Sequence, residues 1–253
     1  MQDLDNRIKN FGEVKIDEKT CDVVLTRKKD KQAQIMLPHI SSRSVDNINL
    51  KLLQTINDIG KYIRGCCMLL DAYNSHDNTL AVTSGESETK CIRIIDIQSK
   101  QIKKLIPVNS YYYGIGVTDG KFICSTAGKG IQLINPNNNS IIDIVRDDKI
   151  PRYCYVAIFD NKIYHTNLQT NTVTCYDQQG TVQWTFKNED ILRSPSGISV
   201  DNDGNVYVIG ELSNHVVVIS ADGQQFKKIA TASDNLCDRV YVDYNRSTNQ
   251  LLV

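Results

Sequence analysis

No apolar stretch in this chain approaches the roughly 18–20 residues that cross a bilayer, so no membrane-spanning helix is expected and no membrane partner is assigned. No secretory leader is expected, since Met1 is followed by Gln-Asp-Leu-Asp-Asn and not by a basic and then an apolar segment. There are eight cysteines but no C-x-x-C, and the four histidines (His39, His76, His165, His215) are scattered. Structural zinc sites need closely spaced thiolate pairs, so neither a metal nor another cofactor is expected. Charge of one sign is also lacking. Lys plus Arg is 29 and Asp plus Glu is 29, giving a formal net charge of zero with a mean hydropathy of −0.32. That balance excludes a disordered polyelectrolyte and a histone-like basic protein. Helical periodicity is nearly absent.

What is present is β-structure. Runs of 4–7 β-favouring residues recur between Asp, Asn, Gly and Ser clusters, the pattern of an all-β sandwich, barrel or propeller. Internal repeats decide between these. A first turn reads Asp77-Asn78, Asp119-Gly120, Asp160-Asn161 and Asp203-Gly204, at steps of 42, 41 and 43 residues. A second series runs in phase with it: Gln98-Ser99, Asn137-Asn138, Gln179-Gly180 and Asp222-Gly223. Each period therefore holds two hairpins. Four strands in about 40–45 residues make a propeller blade.

The expected fold is all-β, a propeller of about five blades of four antiparallel strands, or an incomplete six, with an N-terminal β extension. The strands of a blade are called a to d from the axis outward. Blades are read at about 64–107, 112–146, 153–187 and 196–230. A half-blade at 239–253 is expected to be completed by an outer strand from 48–56, which would protect two sheet edges. Residues 13–47 would form the extension, and Leu4, Ile8 and Phe11 in 1–12 are spaced either as the end of a coiled coil or as a short helix. Gly65-Cys-Cys-Met-Leu-Leu-Asp71 matches Gly197 to Asp203, yet the register restarts only six residues later at Asp77. Either one period has been deleted or this blade has a longer inner hairpin.

Ser194-Pro-Ser-Gly-Ile-Ser-Val-Asp-Asn-Asp-Gly-Asn-Val-Tyr-Val208 resembles an NHL repeat, Pro-x-Gly-Ile-x-Val-Asp-x-x-Gly-x-Val-Tyr-Val. Ser213-Asn-His-Val-Val-Val-Ile-Ser-Ala-Asp-Gly223 is similar to its second hairpin. Over about residues 10–253 the chain resembles the C-terminal half of invertebrate, especially molluscan, tripartite-motif proteins. The resemblance implies an NHL propeller that binds a substrate protein or, in some members, RNA. The ring finger and B-boxes of that family are not encoded, and its members continue past Val253. The expected function is thus a non-catalytic protein-interaction module of the ubiquitin pathway. Binding of single-stranded or hairpin RNA is the alternative, and a propeller hydrolase or lyase is a second.

Catalytic candidates are few. Asp201-Asn-Asp203-Gly204 misses the calcium-loop spacing and reads as a β-turn. His165 ends a b strand whereas His215 begins a c strand, so they do not converge. The d-to-a loops carry the recurring chemistry: Arg64, Arg152, Arg193 and Arg239 stand at or just before inner strands. Tyr111, Tyr112 and Tyr113 hold the equivalent place in the remaining blade, and Tyr153 follows Arg152. Such a ring could grip an acidic peptide through charge-assisted bonds, or hold RNA phosphates and stack bases; solvated or blade-tying arginines are the plainer reading. The b-to-c loops add Lys129, Asn167 and Glu211. The basic run at 27–31 reads as a solvated hairpin. Trp184 and Phe186 read as packing between blades. The cysteines, mostly within apolar runs, read as reduced core residues of a cytoplasmic protein, which leaves the glycosylation patterns at Asn138 and Asn245 idle.

Overall fold

The computed structural model describes residues 14–16, 50–52, 65–69, 79–83, 90–96, 99, 101–231, 241–246 and 249–252. Among the described residues, twenty strands are arranged in five four-stranded antiparallel sheets. The first blade comprises β3 (Gly65–Leu69), β4 (Thr79–Thr83), β5 (Cys91–Asp96) and β6 (Gln101–Pro107). The second comprises β7 (Tyr112–Thr118), β8 (Lys121–Thr126), β9 (Gly130–Ile134) and β10 (Ile141–Arg146). The third comprises β11 (Val156–Phe159), β12 (Lys162–Asn167), β13 (Thr172–Asp177) and β14 (Val182–Lys187). The fourth comprises β15 (Pro195–Val200), β16 (Val206–Gly210), β17 (His215–Ile219) and β18 (Phe226–Thr231). The inner strands β3, β7, β11, β15 and β19 (Asp243–Asn245) contact one another in that order.

The fifth sheet is a seam between the two parts of the chain. Its order is β19, then β20 (Gln250–Leu252), β1 (Val14–Ile16) and β2 (Leu50–Leu52). β1 pairs antiparallel with both β20 and β2, so it sits between the C-terminal half-blade and the outer strand at Leu50–Leu52. Near residue 70, β3 pairs directly with β4, Gly65 opposite Thr83 and Leu69 opposite Thr79, so both belong to one blade. The candidate coil in 1–12 and the basic run at 27–31 lie outside the described residues.

Each core is an interface between neighbouring sheets. Phe122 and Cys124 of β8 turn toward Ala81, Ile92 and Ile106 of the first blade. Ile123, between them, turns the other way, toward Val156 and Ile163 of the third. The pleat sends alternate side chains to opposite faces, and both faces are covered. This is why the b and c strands read as continuous apolar runs.

Neighbouring blades are also strapped by hydroxyls. Ser125 Oγ accepts from Gly114 N at 3.1 Å and donates to the carbonyl of Cys154 in the next blade. Thr166 Oγ1 repeats this, accepting from Tyr155 N (2.9 Å) and donating to Ser196 O (3.0 Å). Thr83 Oγ1 donates to Tyr113 O at 2.9 Å. The three are spaced by 42 and 41 residues, the blade period, and all are fully buried. Buried hydroxyls need such partners.

The outer strands share a device as well. One residue in each of β6, β10, β14 and β18 is skipped by the pairing with the adjacent c strand: Lys103, Ile144, Gln183 and Ile229. A bulge twists an exposed edge away from further pairing.

Trp184 on β14 packs toward the fourth blade. Its Nε1 donates to Ala221 O at 3.0 Å, its ring lies 5.9 Å from that of Tyr164, and Gly223 abuts its face. The ring is half-buried, so Trp184→Ala is expected to cost about 3 kcal/mol, the low end for truncating a large aromatic. An unchanged urea midpoint would refute this packing role.

Candidate functional site

The d-to-a and b-to-c loops form one face because the backbone stitches them together. Gly128 N donates to Ile150 O (2.9 Å), Asp147 N to Lys129 O (3.3 Å), and Leu212 N to Arg193 O (3.3 Å). Ser194 N donates to Asn171 Oδ1 at 2.8 Å, and His215 Nδ1 lies 3.1 Å from Ile191 O.

The residues expected to bind a partner divide on this face. Arg152 and Arg193 are exposed at the ends of their loops. Arg193 Nη2 donates to Leu212 O at 3.5 Å, which sets the guanidinium beside Leu212, at 68% the most exposed large apolar side chain among the described residues. Tyr153 is half-buried with φ 62°, and its ring meets that of Tyr113 edge-on at 5.2 Å. Tyr111 is half-buried under the Lys90 ammonium, 4.9 Å from the ring centre. Lys129 is half-buried in the b-to-c turn. Asn167 Oδ1 accepts from Gln169 N (3.1 Å) and Thr170 N (3.2 Å), so this side chain shapes its own turn. Arg64 and Arg239 lie outside the described residues.

Tyr112 and Tyr113 correct the expectation: they are 2% and 0% exposed and cannot meet a partner. Pairing of β7 with β8 shifts between Tyr112 and Ile115, and this bulge turns both consecutive rings inward. Tyr112 instead anchors a relay. Its hydroxyl donates to Gln132 Oε1 at 2.5 Å, and Gln132 Nε2 donates to Asp143 Oδ1 at 2.7 Å. Arg146 Nε donates to Asp143 Oδ2 at 3.2 Å. The Gln132 amide, then the Arg146 and Lys129 charges, hold the Asp143 carboxyl below its usual range.

The relay ends in an open cavity of about 740 Å³ whose lining includes Asn109, Lys129, Arg146, Asp147, Asp148 and Lys149. Of these, Lys129 was a candidate by sequence. Gln132 and Asp143 are polar residues inside apolar strands, a signal that becomes pointed only once the pairing sets them opposite each other.

The catalytic-type residues take structural roles. Asp201 is buried: its Oδ1 accepts from Asp203 N and Asn205 N at 2.9 and 2.8 Å, and its Oδ2 from Asn205 Nδ2 and Tyr207 Oη at 3.0 and 3.2 Å. Those bonds make it the hub of the turn. His165 lies inside the sheet stack, 2% exposed. Cys124, Cys154 and Cys175 are buried free thiols, and burial pushes Cys154 up to about 12 and Cys175 up to about 11. Thiols so far from thiolate character are poor nucleophiles. Among the described residues no group of three His, Cys, Asp or Glu side chains is placed to hold a metal ion.

Near the axis, Arg246 was missed by sequence reasoning. Its Nε donates to Val200 O (3.3 Å) and its Nη2 to Ile158 O (2.8 Å), and its guanidinium lies 4.8 Å over the Phe159 ring. One side chain from the seam sheet thus ties two other blades together.

Solved structures of similar fold include virginiamycin B lyase from Staphylococcus aureus, at 18% identity over 73% of this chain and 60% of that one, with a TM-score of 0.51. A streptogramin B lyase matches at 16% identity over 71% and 58%, also at 0.51. A chain of a nidogen/laminin complex matches at 14% over 62% and 60%, again at 0.51. This protein is a β-propeller. The propeller spans about three-fifths of the length of each of these chains. Likeness at such identities is one of fold. No protein-family model matches the sequence, and no curated protein matches it.

Proposed function

We propose that this propeller is a non-catalytic interaction module whose d-to-a and b-to-c loop face binds a protein partner, as the substrate-recognition propeller of a tripartite-motif ubiquitin ligase does. The observation that carries the reading is the construction of that face. Backbone bonds between loops hold the base rigid, while Arg152, Arg193 and the exposed Leu212 stand out from it, next to half-buried Tyr153. Arginine and tyrosine on a preformed surface are what protein interfaces concentrate. One propeller of similar fold was solved in a complex of two proteins. The lyases of similar fold favour the enzymatic alternative by likeness of fold alone, which does not carry a reaction. We place the module in the cytoplasm, where its buried free thiols would stay reduced.

The full chain is expected to capture a protein partner from extract, with capture unchanged by nuclease. Arg152→Glu combined with Arg193→Glu is expected to reduce capture at least tenfold without moving the thermal midpoint, since both side chains are exposed. Capture abolished by nuclease, with strong salt dependence, would replace this reading with RNA binding. Capture indifferent to the two substitutions would remove the face from it.

A further inference from the structure

We infer that the loop at 147–155, which carries Arg152 and Tyr153, opens on its own ahead of the rest of the propeller, and that protonation of His165 drives the opening. As a regulation of the partner face this rests on the protein-binding reading above; the opening itself is tested without a partner.

The first support is where His165 stands. β11 is four residues long, the shortest strand of the first four blades, and its first residue, Val156, is the register partner of His165. The chain just before Val156 is the loop itself. Val156 belongs to the core between the second and third blades, so His165 shares the face turned to the second blade. It is 2% exposed, and its Nε2 has no hydrogen-bond partner. A charged imidazole in that place has neither water nor an acceptor, which is costly. Lifting the loop and the terminal pair of one ladder supplies both.

The surrounding groups leave one partner for the charge. Cys154 and Asp147 come from the loop and Tyr176 from β13. Burial keeps the Cys154 thiol and the Tyr176 hydroxyl protonated. The facing strands β8 to β10 contribute Ile123, Ile131, Leu133 and Val145, none of which titrates. Asp148, Lys149 and Arg152 of the loop are exposed. The half-buried Asp147 favours the proton on His165. Its Oδ1 already accepts from Lys149 N at 2.9 Å, so turning to the imidazolium undoes the loop's own turn.

The second support is how the loop is held. Asp147 N lies 3.3 Å from Lys129 O, beyond the usual length of such a bond. Firmer anchors follow at Ile150 O, at Cys154 O and between Tyr155 and Thr166. Tyr153 is at φ 62°, a left-handed backbone that costs a residue with a side chain and is relieved on opening. Local openings of this kind are drawn from the less stable parts of a fold.

The test is amide hydrogen exchange of the full chain at pH 7 and pH 5, corrected for the intrinsic effect of pH. The Tyr155 and Thr166 amides are expected to be less protected than those of Val208 and Val217 at both pH values. With the imidazole at about 4 in the closed loop and about 6.5 in water, their protection should fall about 20-fold from pH 7 to pH 5. In His165→Leu, and in His165→Gln as a polar substitute that does not titrate, that fall should vanish. Protection at Tyr155 and Thr166 equal to that of Val208 and Val217 would mean that only the whole propeller opens, and would overturn the inference. So would protection that ignores pH, or a 20-fold fall that persists in both variants. If the loop behaves as expected while no protein is captured at pH 7, the opening stands and the protein-binding reading falls.

Discussion

Gly130→Ala is expected to lower stability by about 3 kcal/mol or more, whereas Gly120→Ala is expected to cost about 1 kcal/mol. Both glycines have positive φ, 110° and 68°. They differ in what a methyl group would meet. A Cβ at Gly120 has nothing within 4 Å, so alanine there pays for a left-handed backbone alone. A Cβ at Gly130 would be driven into the Val145 carbonyl oxygen and brought to 2.9 Å from Asp147 N. The backbone cannot retreat to relieve the clash. Lys129 N donates to Thr126 O at 3.2 Å, and the same turn is bonded to the loop that leads into the third blade. Two urea titrations decide the matter: the Gly130 midpoint must fall well below that of Gly120. Equal midpoints would mean that the turn is pliable, and with it the placement of Lys129 at the cavity.

The blade pattern was legible because two turn series share one period, and a turn announces itself locally through Asp, Asn and Gly. Asp201 follows the same logic, since the carboxylate that looks like a ligand is consumed by four bonds within its own turn. Trp184 was legible as packing because a large ring on an outer strand has the next sheet to reach. What stayed hidden depends on register. Val14–Ile16 is a short strand far from its partners in sequence, and nothing local marks it as the piece between β20 and β2. The three tyrosines were read as loop residues by their place in the blade, yet Tyr112 and Tyr113 open β7, where a bulge turns two consecutive rings inward. The hydroxyl straps do repeat with the blade period, but a Thr or Ser in a strand carries no sign of a partner 29 or 30 residues away. The cavity is of the same kind: Gln132 and Asp143 acquire meaning only as register partners.

His165 is expected to make the propeller acid-sensitive well above the range in which ordinary carboxylates titrate. It lies on β12 between Val156 of β11 and Thr174 of β13, 2% exposed, and its Nε2 has no hydrogen-bond partner. Burial holds its pKa down at about 4, against 6.5 when free in water, and the Asp147 carboxylate opposes that shift only in part. The same carboxylate acts on Cys154 and Tyr176, which places it at the edge of this interface between the second and third blades. Folding keeps the imidazole neutral, so the unfolded chain binds the proton more tightly. Stability is then full above pH 6.5, declines as pH falls toward 4, and declines no further on this account below that. With those two pKa values the loss is about 2 kcal/mol at pH 5 and about 3 kcal/mol at pH 4. His165→Leu removes both the titrating group and the unsatisfied nitrogen. The variant is expected to match or exceed the parent in urea stability at pH 7, because an apolar group of similar size replaces a buried orphan. Its advantage should then widen by about 2 kcal/mol at pH 5. A difference between the two proteins that stays constant from pH 7 to pH 5 would show that His165 reaches solvent or a proton acceptor in the folded state.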